Sequence, residues 1–151
     1  TYGLPLVLAI IGGDHLRFAP FTQLYRRALK EMGQPELPIA IHSPGHVADT
    51  DEQARDEYWT HYRTMHARIG GERGWGPMTR DQFEMAAGPE GALTVGSPAG
   101  VATKIVRALK GLDASRFAMK YSAGTLPHET MMRSIELFAT EVAPVVRAEM
   151  A

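Results

Sequence analysis

The side chains able to do chemistry fall into three short clusters. Gly12-Gly13-Asp14 follows the apolar run Leu4–Ile11, His42-Ser43 and then His46 follow the run Leu37–Ile41, and Ser122, Gly124 and His128 follow the segment that starts at Arg116. Each cluster sits where an extended segment ends. Paired glycines suit a tight strand exit, or a close approach of the backbone to a bound molecule. His42 and Ser43 offer hydrogen bonds to a cofactor edge or a substrate oxygen; the rival role is a structural cap. His46 reads as a loop residue or a substrate contact. His128 follows Pro127 in the first turn of a helix, where its imidazole meets either a ligand or solvent.

Other chemistries are set aside by composition and spacing. With no cysteine there is no disulfide, thiolate metal site or cysteine nucleophile, which agrees with a reducing cytoplasm. His42 and His46 are separated by Pro44-Gly45, which bars a helix from presenting both; His61 and His66 do not share a helical face. Without a His-Glu-x-x-His run, no metal is expected. Ser122 lies in Tyr-Ser-Ala-Gly rather than in a nucleophile elbow, and no residue is assigned as a catalytic acid or base. A net charge of −1 and a pI of about 6.6 supply no basic field for nucleic acid or anionic lipid. The run Leu4–Ile11 is too short to cross a bilayer.

The elements that must position these clusters alternate. Leu4–Ile11 reads as a parallel strand covered on both faces, ended by Gly12-Gly13. A helix follows, with Pro20 in its first turn and a stripe of Phe21, Leu24, Tyr25, Ala28, Leu29 and Met32, closed by Gly33. A second strand spans Leu37 to about Ile41 and resumes toward Ala48 after a break at Ser43-Pro44-Gly45. Thr50 and Gln53 have capping-box spacing before a helix bearing Ala54, Tyr58, His61, Tyr62, Met65 and Ile69, which Gly70-Gly71 stops. Residues 71–96 form a glycine-rich excursion, a lid or wall, holding a short helix capped by Thr79 and Gln82.

Ser97-Pro98 then opens a helix with Val101, Ile105 and Leu109 on its buried face. Lys104, Arg107 and Lys110 read as a solvated basic set near its end. Arg116–Ser122 is the third strand. The last helix carries Met131, Ile135, Phe138, Val142 and Val145, and Pro144 kinks or ends it. The order β-α-β-α-excursion-α-β-α predicts an α/β fold with parallel strands. Either a small open sheet or a piece of a (β/α)8 barrel satisfies it, since a whole barrel needs roughly 250 residues. The abrupt opening at Thr1-Tyr2-Gly3, with no methionine, points to one partial domain over residues 1–151.

Three stretches, "PIAIHSPGHVADTDEQARDEY", "GSPAGVATKIVRAL" and "RFAMKYSAGTLPHETMMRSIELFATEVAPVVR", resemble the bacterial luciferase-like family of flavin-dependent monooxygenases and reductases. The resemblance covers nearly all of the chain. It implies the C-terminal part of a (β/α)8 barrel, about three βα units (the sixth to the eighth). It implies non-covalent FMN, or a deazaflavin, lying across the C-terminal ends of the strands and acting on a small organic substrate. Gly12, Gly13, His42 and Ser43 become the expected cofactor contacts, and His46, Ser122 and His128 the expected substrate contacts. In the family much of the phosphate grip comes from a Gly-rich loop after an earlier strand, so this chain alone is expected to be inactive. The alternative is a non-catalytic barrel piece that folds by homo-oligomerisation, because strands cut from a barrel leave open edges and an uncovered apolar face.

Overall fold

The computed structural model describes residues 3–151. Its hub is β2 (Ile39–Val47), a continuous nine-residue strand. β1 (Leu6–Ala9) pairs with it in parallel from Leu6↔Ile39 to Ala9↔His42. β4 (Arg116–Lys120) pairs in parallel from Ala40↔Arg116 to Pro44↔Lys120. Both registers include Ala40 to His42, so β1 and β4 occupy opposite edges of β2. β3 (Thr94–Gly96) joins further along, opposite Gly45–Val47. The sheet thus has four strands where the sequence suggests three, the extra one coming from the end of the 71–96 excursion.

The expected break at Ser43-Pro44-Gly45 does not occur, and the ladder shows why. Ile10 N–H donates to His42 O at 2.8 Å, so the next group facing β1 is the nitrogen of Pro44, which carries no proton. Proline is tolerated where such a bond is dispensable. The Ile10 carbonyl left without that donor accepts instead from the Ser43 hydroxyl at 3.0 Å. Gly45 then passes through a gap with no room for a side chain: a Cβ would lie 2.5 Å from Thr94 O and 2.6 Å from Met119 Sδ. β1 and β4 are also shorter than expected, four and five residues.

Among the described residues, six helices flank the strands. A 3-10 turn at His15–Phe18, whose first amides are held by the Asp14 carboxylate (Leu16 N, 2.9 Å), leads into α1 (Ala19–Glu31). α2 (Asp51–Arg73) runs through Gly70-Gly71, correcting the expected stop. Its end is Gly74, whose φ of 68° suits glycine, the usual device for terminating a helix. Gly70 instead makes room for Trp75, whose Cβ would lie 3.0 Å from an added one. Only half of the Thr50/Gln53 box forms: Thr50 Oγ1 accepts from Gln53 N, while the Gln53 side chain turns to Glu57. α3 (Arg80–Ala87) has the complete box with Thr79 and Gln82.

α4 (Pro98–Gly111) starts at the Ser97 cap as expected. α5 (His128–Leu137) passes through a π turn at Phe138–Val142 into α6 (Ala143–Glu149). The regular helix ends at Leu137, before Pro144, which sits in the first turn of α6, and the rod continues. The wider turn also shifts the stripe. Leu137 and Val142 are buried, whereas Val145 is 50% exposed and Val146 packs inward in its place.

Two apolar clusters result. One lies between the Ile10, Ile39, Ile41 face of the sheet and α4, Leu137 and Val142. The other joins Tyr58 and Tyr62 of α2, Phe83 of α3, Leu93, Val95, Ala123 and Leu126. Ala48, Ala123 and Leu126 lie beyond the C-terminal ends of β2 and β4, so α2 and α3 form a cap over that end. The opposite sheet face is bare: Val7 is 62% and Ile11 51% exposed. So is half of the α1 stripe, with Phe21 at 56% and Leu24 at 55%, because α1 packs inward through Thr22, Tyr25 and Leu29.

Candidate functional site

Strand alternation decides which candidates face the open side. Val7, Ala9 and Ile11 share a face with their neighbours Ala40, His42 and Pro44, and with Arg116, Ala118 and Lys120. This is the bare face. At its C-terminal end, under the cap, lies a cavity of about 410 Å³. Ile11, Gly12, Pro44 and Lys120 form its floor, and Tyr62, Met65, His66, Ile69, Trp75 and Met78 its roof. Nothing lies within 4 Å of where a Gly12 Cβ would point, so the backbone there is open to a ligand. Gly13 has φ 74°, which turns the chain out of the strand into the 3-10 turn.

His42 stands half-buried on the bare face, and its Nδ1 is buried without a hydrogen-bond partner. Ser43 points the other way, is fully buried, and spends both of its hydrogen bonds inside the protein. Its hydroxyl donates to Ile10 O, so its oxygen accepts from His15 Nε2 at 2.8 Å. That fixes the proton of His15 on Nε2 and leaves Nδ1 buried and unpartnered. Burial, aided by the nearby Lys104 cation, lowers the His15 pKa to about 4. The imidazole is therefore neutral at ordinary pH, and it pins the exit of β1 to β2.

His46 is also fully buried rather than on a loop. It stacks on Tyr58 with ring centroids 5.5 Å apart and donates from Nε2 to Glu57 Oε2 at 2.8 Å. Burial lowers its pKa, against the opposing pull of Glu57. Ser122 and His128 are exposed beyond β4. The structure thus brings Gly12 to the cavity and His42 to the same sheet face, and sends Ser43 and His46 into packed surroundings.

Three residues escaped the sequence reading. Lys104 is buried, not solvated, and its Nζ donates to the carbonyls of Ala87, Gly88 and Leu93 at 3.3, 2.6 and 2.6 Å. It satisfies the carbonyl end of α3 and ties the cap to α4. Burial lowers its pKa to about 8. Its place three residues after Val101, on the buried stripe, was the signal. His15 carried none beyond its position after Gly12-Gly13-Asp14. Arg107, read as solvated, grips Asp14 with two bonds of 2.9 and 2.8 Å, which lowers the Asp14 pKa.

No protein-family model and no curated protein matches the sequence. Solved structures do. The monooxygenase RslO1 from Streptomyces bottropensis superposes with a TM-score of 0.74 at 19% identity, over 94% of this chain and 42% of that one. The oxygenating constituent of 3,6-diketocamphane monooxygenase from Pseudomonas putida, solved with FMN, gives 0.61 at 19% identity, over 91% and 42%. The coenzyme F420-dependent tetrahydromethanopterin reductase from Methanopyrus kandleri gives 0.56 at 14% identity, over 91% and 44%. Likeness at such identities establishes the fold: parallel strands with flanking helices, forming part of a (β/α)8 barrel. The chain spans about two-fifths of the length of these neighbours.

Proposed function

We propose that this chain is part of a flavin-dependent monooxygenase or oxidoreductase, with the cofactor resting on the bare sheet face at the C-terminal strand ends. The observation that carries the reading is the cavity between that face and the cap, on the side of the strands where active sites of this fold occur. The residues suit a flavin. The Gly12 backbone is unobstructed, the His42 imidazole lies half-exposed on the same face, and the floor is apolar apart from Lys120. FMN, or a deazaflavin such as F420, would be held without a covalent bond; when bound it supplies the electrons, to dioxygen or directly to a small organic substrate. The chain's own residues orient the ring and keep water out. Gly12 admits it, His42 hydrogen-bonds its edge, and Tyr62 and Ile69 roof it over.

The RslO1 and diketocamphane neighbours support an oxygenase and the reductase a deazaflavin variant; FMN is the reading taken here. Titrating the chain into micromolar FMN and following flavin fluorescence tests it. Saturable quenching, weakened by His42→Ala, is expected; no change with either FMN or F420 would overturn it. A second reading, association with another copy of the chain, is favoured by the exposed Val7, Ile11, Phe21 and Leu24. Light scattering is expected to show a dimer, and a monodisperse monomer in dilute solution would contradict that reading.

A further inference from the structure

The cavity carries a charge pattern that a flavin seat does not require. Lys120 ends β4 on the cavity floor, and among the described residues its Nζ has one hydrogen-bond partner, the Met65 sulfur at 3.3 Å. A thioether is a weak acceptor, so the ammonium, exposed to solvent beside an apolar wall, is free to meet an anionic group. Arg73 lies on the roof, its guanidinium 5.4 Å from the ring centre of Trp75. Neither cation forms an ion pair among the described residues, whereas Arg26, Arg55, Arg80, Arg107, Lys110 and Arg133 do. No residue lining the cavity is acidic. His66, between Tyr62 and Trp75, adds an Nδ1 that is buried without a partner.

A cation on the floor and another on the roof, with aromatic and thioether surfaces between them, make a site for a molecule that is mostly apolar and singly or doubly anionic. We infer that the substrate taken by this cavity is a planar organic anion, a carboxylate or phenolate on an aromatic or conjugated frame. Its ring stacks under Trp75, the exposed end of the roof, beyond the buried Tyr62, and its charge meets Lys120 and Arg73. This rests on the proposed function for calling the molecule a substrate, but the binding claim stands by itself. Met65 and Met78 suit the role, because thioethers adapt to varied ring outlines. A charge-assisted hydrogen bond is stronger than a neutral one, so discrimination against an uncharged analogue should be at least tenfold.

The test uses naphthalene-2-carboxylate and its neutral counterpart 2-naphthylmethanol, titrated against tryptophan fluorescence. The carboxylate is expected to bind at least tenfold tighter. Lys120→Met should abolish most of that preference and leave the alcohol unchanged, Lys120→Arg should restore it, and Arg73→Gln should reduce it less. Lys120 is exposed, so circular dichroism should show these variants folded. FMN added first is expected to leave carboxylate binding intact. Equal affinities for the two probes, or no effect of Lys120→Met, would overturn the inference. Competitive displacement by FMN would overturn it too, assigning the cations to the flavin. A chain that binds the carboxylate selectively and does not bind FMN would uphold this inference while refuting the flavin reading.

Discussion

Ile39 and Ile41 of β2 are wholly buried, whereas Val7 and Ile11, neighbours across the β1 edge but on the other face, are 62% and 51% exposed. The residue types are equivalent; the surroundings are not. One face is sealed by α4 and the α5–α6 rod, while the other meets the chain only at its C-terminal end, where α2 and α3 fold over. A sheet made for an open α/β sandwich is covered on both sides. This one is covered on one side, as the wall of a barrel would be with the remaining wall absent. The difference locates function as well: the sealed face stores stability, and the bare one, roofed only at the strand ends, is where a ligand has room.

Substitutions can break or sharpen that contrast. The largest effect is expected at Ile41→Ala, which should cost about 2–5 kcal/mol in chemical denaturation because it opens a cavity in a closed core. Next comes pH. His15 has a folded pKa of about 4 against 6.5 unfolded, so between those values the unfolded chain binds more protons. Stability therefore rises with pH across the window and is lost as pH falls through it, by about 3 kcal/mol. His15→Gln keeps a donor for Ser43 and should flatten much of that slope; His46, lowered in the same direction, keeps the remainder. An unchanged slope would show that His15 is not sealed behind the sheet.

Ser43→Ala should cost about 1–2 kcal/mol, since it strands the Ile10 carbonyl and the His15 N–H together. The smallest effect is expected at Val7→Thr on the bare face, within about 0.5 kcal/mol. A loss there comparable to Ile41→Ala would mean that this face is covered in solution.

Where the code is local, the sequence was legible. Ser97-Pro98 starts α4, Thr79 and Gln82 box α3, and alternation with glycine exits gave the parallel order and the positions of Gly12 and His42. What escaped depends on partners distant in sequence. Pro44 reads as a breaker because local rules do not know that β1 has ended opposite it, or that Ser43 will take its place. Gly70-Gly71 reads as a stop because the packing of Trp75 on Gly70 is not written in either glycine. The π turn displaced the last stripe by a residue, which a 3.6 period cannot anticipate. Ser43 and His46 looked like site residues because they follow the point, about Ile41, where the strand was expected to pause. Only the alternation of an unbroken β2, together with the stack on Tyr58, turns them inward.

The absence of cysteine from the chain makes one measurement especially clean. Single cysteines placed at Ile11 and Ile41 report the two faces through their rates of labelling by a maleimide, with and without FMN. The account predicts rapid labelling at position 11 that FMN slows at least tenfold, and negligible labelling at 41 in either condition. Equal rates at the two positions, or a position 11 indifferent to FMN, would contradict it.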